Sequence, residues 1–194
     1  MPFVGLTGGM GAGKSTALAA LERLGAAVLS SDAVVHELYG GEQLREAVIE
    51  RWGPEVAPGD VVDRAAVAAH AFASPQDRAW LEALVWPLVG ARVAGWLEGV
   101  RARRPAPRAA VVEVPLLFEA GLEQLYDATI AVIADERVRR ERDAERGHVL
   151  ADERTERQLS QQEKARRATF VVHNDGSEED LRRALSAVLD KLAG

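Results

Sequence analysis

The chain has no cysteine among its 194 residues. That excludes a disulfide framework, a thiolate metal site and catalysis by a cysteine nucleophile. Long apolar runs are missing too. The richest stretch, Trp80 to Val100, is interrupted by Glu82, Arg92 and Glu98, so nothing approaches the roughly 20 apolar residues of a bilayer-spanning helix. No basic leader precedes the glycine-rich segment that opens at residue 8, and the expectation is a soluble cytoplasmic protein without a membrane partner. Positive charge is in deficit: 24 Lys and Arg against 30 Asp and Glu give −6 at pH 7. A net acidic protein attracts neither nucleic acid nor anionic lipid in general. The histidines His36, His70, His148 and His173 are scattered without metal-ligand spacing. The single asparagine, Asn174, leaves no Asn-Lys-x-Asp element for selecting guanine.

What is present starts at residues 8–15, GGMGAGKS. This is G-x-x-x-x-G-K-[ST], with Gly8, Gly13, Lys14 and Ser15 at the fixed positions. Glycines let the backbone come close to phosphate oxygens, and the N–H groups of such a loop form an anion-binding nest. Lys14 puts a point charge on the terminal phosphates, and the Ser15 hydroxyl suits a Mg²⁺ shell of hard oxygen ligands. The helix that follows directs its N-terminal partial charge at the same anion. The run Gly8, Gly9, Met10, Gly11, Ala12, Gly13, Lys14, Ser15, Thr16 is therefore the candidate nucleotide cradle. Its flanks fit: Phe3–Thr7 reads as a short buried strand, and Leu18, Leu21 and Leu24 give an amphipathic helix over Ser15–Leu24, ended by Gly25.

Further along, the pattern predicts strands at Ala26–Leu29, Ala109–Val114, Ala128–Ile133 and Thr169–His173. A helix is expected to start at Ser31 or Asp32, and residues 34–104 read as nearly all helical, with breaks at Gly40-Gly41, across 53–59 and at Ser74-Pro75. Pro87 should kink or split its helix. Residues 135–167 read as two exposed charged helices separated near Gly147, and Ser177 with Asp180 caps a last helix. Strands alternating with helices indicate an α/β fold with a parallel sheet, whose ligands bind at the carboxyl ends of the strands.

Several side chains there could do chemistry. Asp32 could orient an acceptor hydroxyl and take its proton, help hold Mg²⁺, or cap a helix. Glu113, ending the third strand, is either a metal-associated carboxylate or a strand-end charge. Glu119 reads as a helix-surface residue with a substrate contact open to it. Arg139, Arg140, Arg142 and Arg146 crowd one short segment. They form a solvated face, or one or two of them neutralise charge on a transferring phosphoryl group. Trp80, Trp86 and Trp96 read as the core of the helical insertion, with an apolar substrate wall as the alternative.

Separated stretches also resemble one family. GLTGGMGAGKST (5–16), SSDAVVHEL (30–38), EVPLLFEAGL (113–122) and QLSQQEKARRATFVVHNDGS (158–177) are similar to the dephospho-coenzyme A kinases. The resemblance implies a P-loop NTPase fold, three-layer α/β/α with a central parallel five-stranded sheet, plus a helical substrate-binding insertion and a helical lid. It implies a nucleotide-binding core of 1–35, 105–134 and 166–194, a CoA-binding insertion of 36–104 and a lid of 135–165. The activity implied is transfer of the γ-phosphoryl of ATP, with Mg²⁺, to the ribose 3′-hydroxyl of dephospho-CoA, by a monomer or small homo-oligomer. Lys14, Asp32, Arg142 and Arg146 are then the catalytic candidates, with Asp32 on the family's proposed base. Asp32, Pro115, Leu116, Leu117 and Glu119 are the substrate-binding candidates, and Ser15 and Glu113 the metal ligands. Ser30-Ser31-Asp32 departs from the family's frequent Asp-Ala-Asp, Trp86-Pro87 from a common His-Pro, and Ala168-Thr169 from Ala-Asp; the Arg142–Arg154 spacing also differs. Another small-molecule kinase of the shikimate type, a nucleotide-dependent switch and a non-catalytic nucleotide binder stay open as alternatives.

Overall fold

The computed structural model describes residues 1–139 and 158–193. Arg140, Arg142, Arg146, Gly147, His148, Arg154 and most of the expected lid therefore lie outside the described residues. The chain divides into two compact units, Met1–Ser30 with Leu97–Gly194, and Ser31–Trp96.

The first unit is built on a parallel sheet of five strands: β1 (Phe3–Gly8), β2 (Ala27–Ser30), β3 (Ala110–Glu113), β4 (Ala128–Ile133) and β5 (Phe170–His173), ordered β2-β3-β1-β4-β5. Leu6 stands opposite Glu113 on one side and Ile130 on the other, so β1 is central. Continuous burial along β1, β3 and β4 explains their unbroken apolar sequences. Val4, Leu6, Val111, Ile130 and Val132 point to one face, where α1 (Lys14–Arg23) contributes Ala17, Ala20 and Leu21. The C-terminal helix, here α7 (Glu178–Ala193), adds Leu181, Leu185, Val188 and Leu189 to the same core, a spacing that lines one helix face. Ser177 Oγ accepts from Asp180 N–H at 3.2 Å and donates to Asp180 Oδ2 at 2.7 Å, which caps α7 as expected. On the opposite face of the sheet, Gly5 leaves room for other side chains. A Cβ there would stand 2.4 Å from Leu117 Cδ1 and 3.0 Å from Tyr126 Cδ2. Burial pushes the Tyr126 phenol up to about 12.

The second unit is helical: α2 (Ser31–Tyr39), α3 (Glu42–Trp52), 3₁₀ turns at Pro54–Val56 and Pro58–Asp60, α4 (Arg64–Ala73) and most of α5 (Pro75–Ala102). The breaks fall where glycine and proline placed them. Leu44, Val48, Val56, Val67 and Val85 form its core, with Trp52 and Trp80 packed around them, their rings edge to face at 5.1 Å. Asp63 caps α4 by accepting from the N–H groups of Ala65 and Ala66 at 2.9 and 3.2 Å.

Two expectations are corrected, and of the two outcomes expected at Pro87 the split does not occur: α5 runs through it as one helix. Pro87 and Ala83, whose carbonyl loses its usual donor, are both exposed, so water can satisfy that carbonyl at little cost. Trp86 is not core: it is 55% exposed. Finally, α6 (Gln161–Arg167), in the segment read as exposed, carries the fully buried Lys164. No helix among the described residues is long and apolar enough to cross a membrane.

Candidate functional site

The loop between β1 and α1 has the backbone of an anion cradle. Gly11 and Gly13 sit at φ 70° and 88°, in the left-handed region that an L side chain enters only at a cost. Gly13 opens α1, and no side chain among the described residues caps that helix. Its first-turn donors thus face the position that a phosphate group fills in such loops. The loop carbonyls are tied off elsewhere. Gly9 O accepts from Ala12 N–H at 3.3 Å and from Lys14 Nζ at 3.2 Å. Met10 O accepts from Arg139 Nε at 2.7 Å, and Ala12 O from Asn174 Nδ2 at 2.9 Å. With acceptors occupied, the loop offers mainly donors, which is the chemistry of a polyphosphate site.

The side chains that tie α6 to the elements beside this loop come from far along the sequence. Gln161, at the start of α6, pairs both ways with the residue after β4: its Oε1 accepts from Ala134 N–H and its Nε2 donates to Ala134 O, each at 2.9 Å. One turn on, Lys164 Nζ donates to Pro115 O at 2.7 Å and Thr7 Oγ1 at 3.4 Å, and pairs with Glu119 Oε1 at 2.8 Å. The same oxygen accepts from Leu159 N–H at 2.8 Å, while Glu119 Oε2 is buried without a hydrogen-bond partner among the described residues. One more turn on, Arg167 pairs with Glu123 and lies 4.9 Å from the Phe118 ring centre. Arg167 is the chief reason why Glu123 ionises below the ordinary range of a glutamate, its own backbone hydrogen bond being the second. These three residues share one face of α6.

The structure places the sequence candidates unevenly. Gly8 to Thr16 form the turn from strand to helix as expected. Glu113 ends β3 and is 6% exposed. Pro115 contributes its carbonyl to Lys164, and Leu116 is exposed. Leu117 is fully buried against the sheet, so its side chain serves packing. Glu119 lies in a turn, not on a helix surface, and its carboxylate is directed at Lys164. Asp32 sits in the first turn of α2, exposed, two residues past the end of β2. Sequence reasoning missed the roles of Gln161, Lys164 and Asn174. Charge composition hid the first two among solvated residues. The available signal was the regular spacing of Gln161, Lys164 and Arg167 beside apolar β5.

A cleft of about 540 Å³ opens beside the loop, lined by Gly9, Met10, Asp135, Arg139 and residues 158–162 among others. Among the described residues no group of three or more His, Asp or Glu side chains could hold a metal alone. The Ser15 hydroxyl and Glu113 carboxylate are hard oxygen donors. Such a pair fits Mg²⁺ that takes the rest of its shell from water and substrate phosphates.

Comparison with known proteins adds the family. The family model for dephospho-CoA kinase matches residues 2–180. The chain is 36% identical over 195 residues to a dephospho-CoA kinase of Rhizobium meliloti, covering 99% of this chain and 98% of the relative. It is 40% identical over 197 residues to one of Thermus thermophilus, covering 99% and 92%. A solved Thermus thermophilus structure superposes with a TM-score of 0.81 at 38% identity, over 100% of this chain and 99% of that one. A dephospho-CoA kinase from Campylobacter jejuni superposes with a TM-score of 0.71 at 21% identity, over 98% and 96%; at that identity the likeness speaks for the fold alone. With the family model spanning most of its length, this chain belongs to the dephospho-CoA kinase family.

Proposed function

We propose that the protein transfers the γ-phosphoryl of ATP to the 3′-hydroxyl of dephospho-CoA, releasing ADP and CoA. The observation that carries this reading is the donor-rich loop at Gly8–Thr16 in a chain that matches the family over nearly all its length. The loop N–H groups hold the phosphates. Lys14, whose Nζ rests 3.2 Å from Gly9 O, moves its charge onto the terminal phosphates when they bind. Asp32 orients the acceptor hydroxyl and takes its proton as the oxygen bonds to phosphorus and the bridging oxygen leaves with ADP. Because the transferred group is loosely bonded in such reactions, positioning and charge carry more of the catalysis than the base does. Ser15 and Glu113 would hold Mg²⁺, which would neutralise phosphate charge. Residues 36–104 hold the CoA end, and the segment at Pro115 contributes to the acceptor site through Leu116, its exposed side chain.

The test is ADP release from Mg-ATP by the purified protein, with and without dephospho-CoA, with the product identified by mass. Release that depends on dephospho-CoA and yields CoA is expected. ADP release indifferent to dephospho-CoA would overturn the acceptor assignment and leave the nucleotide site standing.

A further inference from the structure

We infer that Asn174, the single asparagine of the chain, is a positioning residue for phosphate binding: it fixes the Ala12–Gly13 peptide group and so aims the Gly13 N–H into the loop. The inference rests on the nucleotide reading above and concerns how that site is held.

Asn174 directly follows β5, and its own N–H donates to Ile133 O at 2.8 Å. Its backbone therefore continues the β4–β5 ladder and is fixed to the sheet. The residue is 5% exposed, and Nδ2 donates to Ala12 O at 2.9 Å across 162 positions of sequence. Ala12 is itself fully buried, so its carbonyl would lose this donor where water does not reach. In a trans peptide the C=O and the following N–H point in opposite directions. Holding Ala12 O toward Asn174 therefore turns the Gly13 N–H away from β5, toward the hollow of the loop.

Local sequence does not fix that peptide group. A flip of it changes ψ of Ala12 and φ of Gly13, and Gly13 tolerates nearly any φ. Ala12 carries only a methyl side chain, and both the α and the β values of its ψ are sterically allowed. The orientation has to be imposed from outside, by a donor anchored on the sheet. A carboxamide meets the requirement. A carboxylate of the same shape would set acceptor against acceptor and add negative charge beside the bound phosphates.

The experiment compares wild type with Asn174→Ala, Asn174→Ser and the isosteric Asn174→Asp in the full chain, below their melting temperatures. Mg-ATP and ADP affinities are measured by calorimetry, KM for dephospho-CoA by turnover, and the Gly13 amide by ¹H–¹⁵N NMR. The expected result is nucleotide affinity weakened about 10-fold or more in the alanine and serine variants, a fraction of what loss of a whole anion donor costs, and further weakened in the aspartate variant. KM for dephospho-CoA stays within about two-fold, and the Gly13 resonance responds less to ADP than in wild type. A folded Asn174→Asp or Asn174→Ser protein that binds nucleotide as wild type does, with an unchanged Gly13 response, overturns the inference. Equal losses for nucleotide and dephospho-CoA, with that response unchanged, overturn it too, since they mark a general structural role. Wild type that binds no nucleotide overturns the functional reading and this inference with it.

Discussion

Two lysines from distant parts of the chain, one in the phosphate loop and one in α6, are held in opposite ways. Lys14 belongs to the loop, is half-buried, and rests its Nζ on a neutral carbonyl, Gly9 O. Lys164 belongs to α6, is fully enclosed, and is bound to Glu119, Pro115 O and Thr7. An ammonium that rests on a neutral carbonyl at the edge of the loop can be drawn toward a phosphate. One that neutralises a buried carboxylate cannot leave without exposing that carboxylate's charge to an apolar interior. The contrast extends to their surroundings. The loop presents backbone donors from small residues, which specify a path and cannot hold it. Arg139 and Asn174, from far along the chain, hold its carbonyls at Met10 and Ala12.

Breaking the enclosed lysine should have the largest effect on the fold. Lys164→Met leaves Glu119 buried and unpaired, which costs about 3–5 kcal/mol in such pairs, as read by urea unfolding. Adding Glu119→Leu should restore much of that loss, because an apolar pair of similar volume removes the orphan charge. No recovery in the double variant would mean that the bonds to Pro115 O and Thr7, not the ion pair, carry Lys164's contribution.

Removing the other lysine should leave the fold intact and stop the chemistry. Lys14→Ala is expected to lower kcat by roughly 10²-fold or more, the scale of a lost contact to developing charge, with an unfolding midpoint close to wild type. Near-normal kcat would refute the phosphate-loop role. A smaller catalytic effect is expected at Asp32. Asp32→Asn should lower kcat far more than it raises KM for ATP, since Asp32 acts on the acceptor, and unchanged kcat would reduce it to a first-turn helix charge.

The same contrast explains what the sequence disclosed. The loop was legible because its function is written in residue types at fixed spacing, each tied to one physical need. The sheet was legible because buried parallel strands are apolar throughout, as in Ala128–Ile133. Lys164 was not, because a charged residue among Gln, Glu and Arg looks solvated until its partner is known, and Glu119 lies 45 positions away. Asn174 stood in the sequence as the lone asparagine and within the family-like stretch 158–177, but its bond to Ala12 O exists only once β5 lies in the sheet. Trp86 misled for a related reason: the burial of a tryptophan depends on which side of a helix meets water.

The smallest expected effect tests whether α6 is tied down along its length or at Lys164 alone. Arg167, one turn beyond Lys164, donates to Glu123 and holds its carboxyl below the ordinary 4.5. A carboxyl whose folded pKa is depressed adds stability that is fully present above its unfolded pKa. That stability is lost as pH falls through the folded value. Wild type should therefore exceed Glu123→Gln in stability by a constant amount above about pH 5.5, a unit over the ordinary value. The gap should narrow as pH falls below 4.5 and close in stronger acid. Arg167→Gln should remove the same acid-sensitive component, because Arg167 is the larger cause of the shift. Parallel stability curves for wild type and Glu123→Gln from neutral pH into acid would show that the pair contributes nothing to folding. The tethering of α6 would then end at Lys164, with Arg167 doing no more than covering the Phe118 ring.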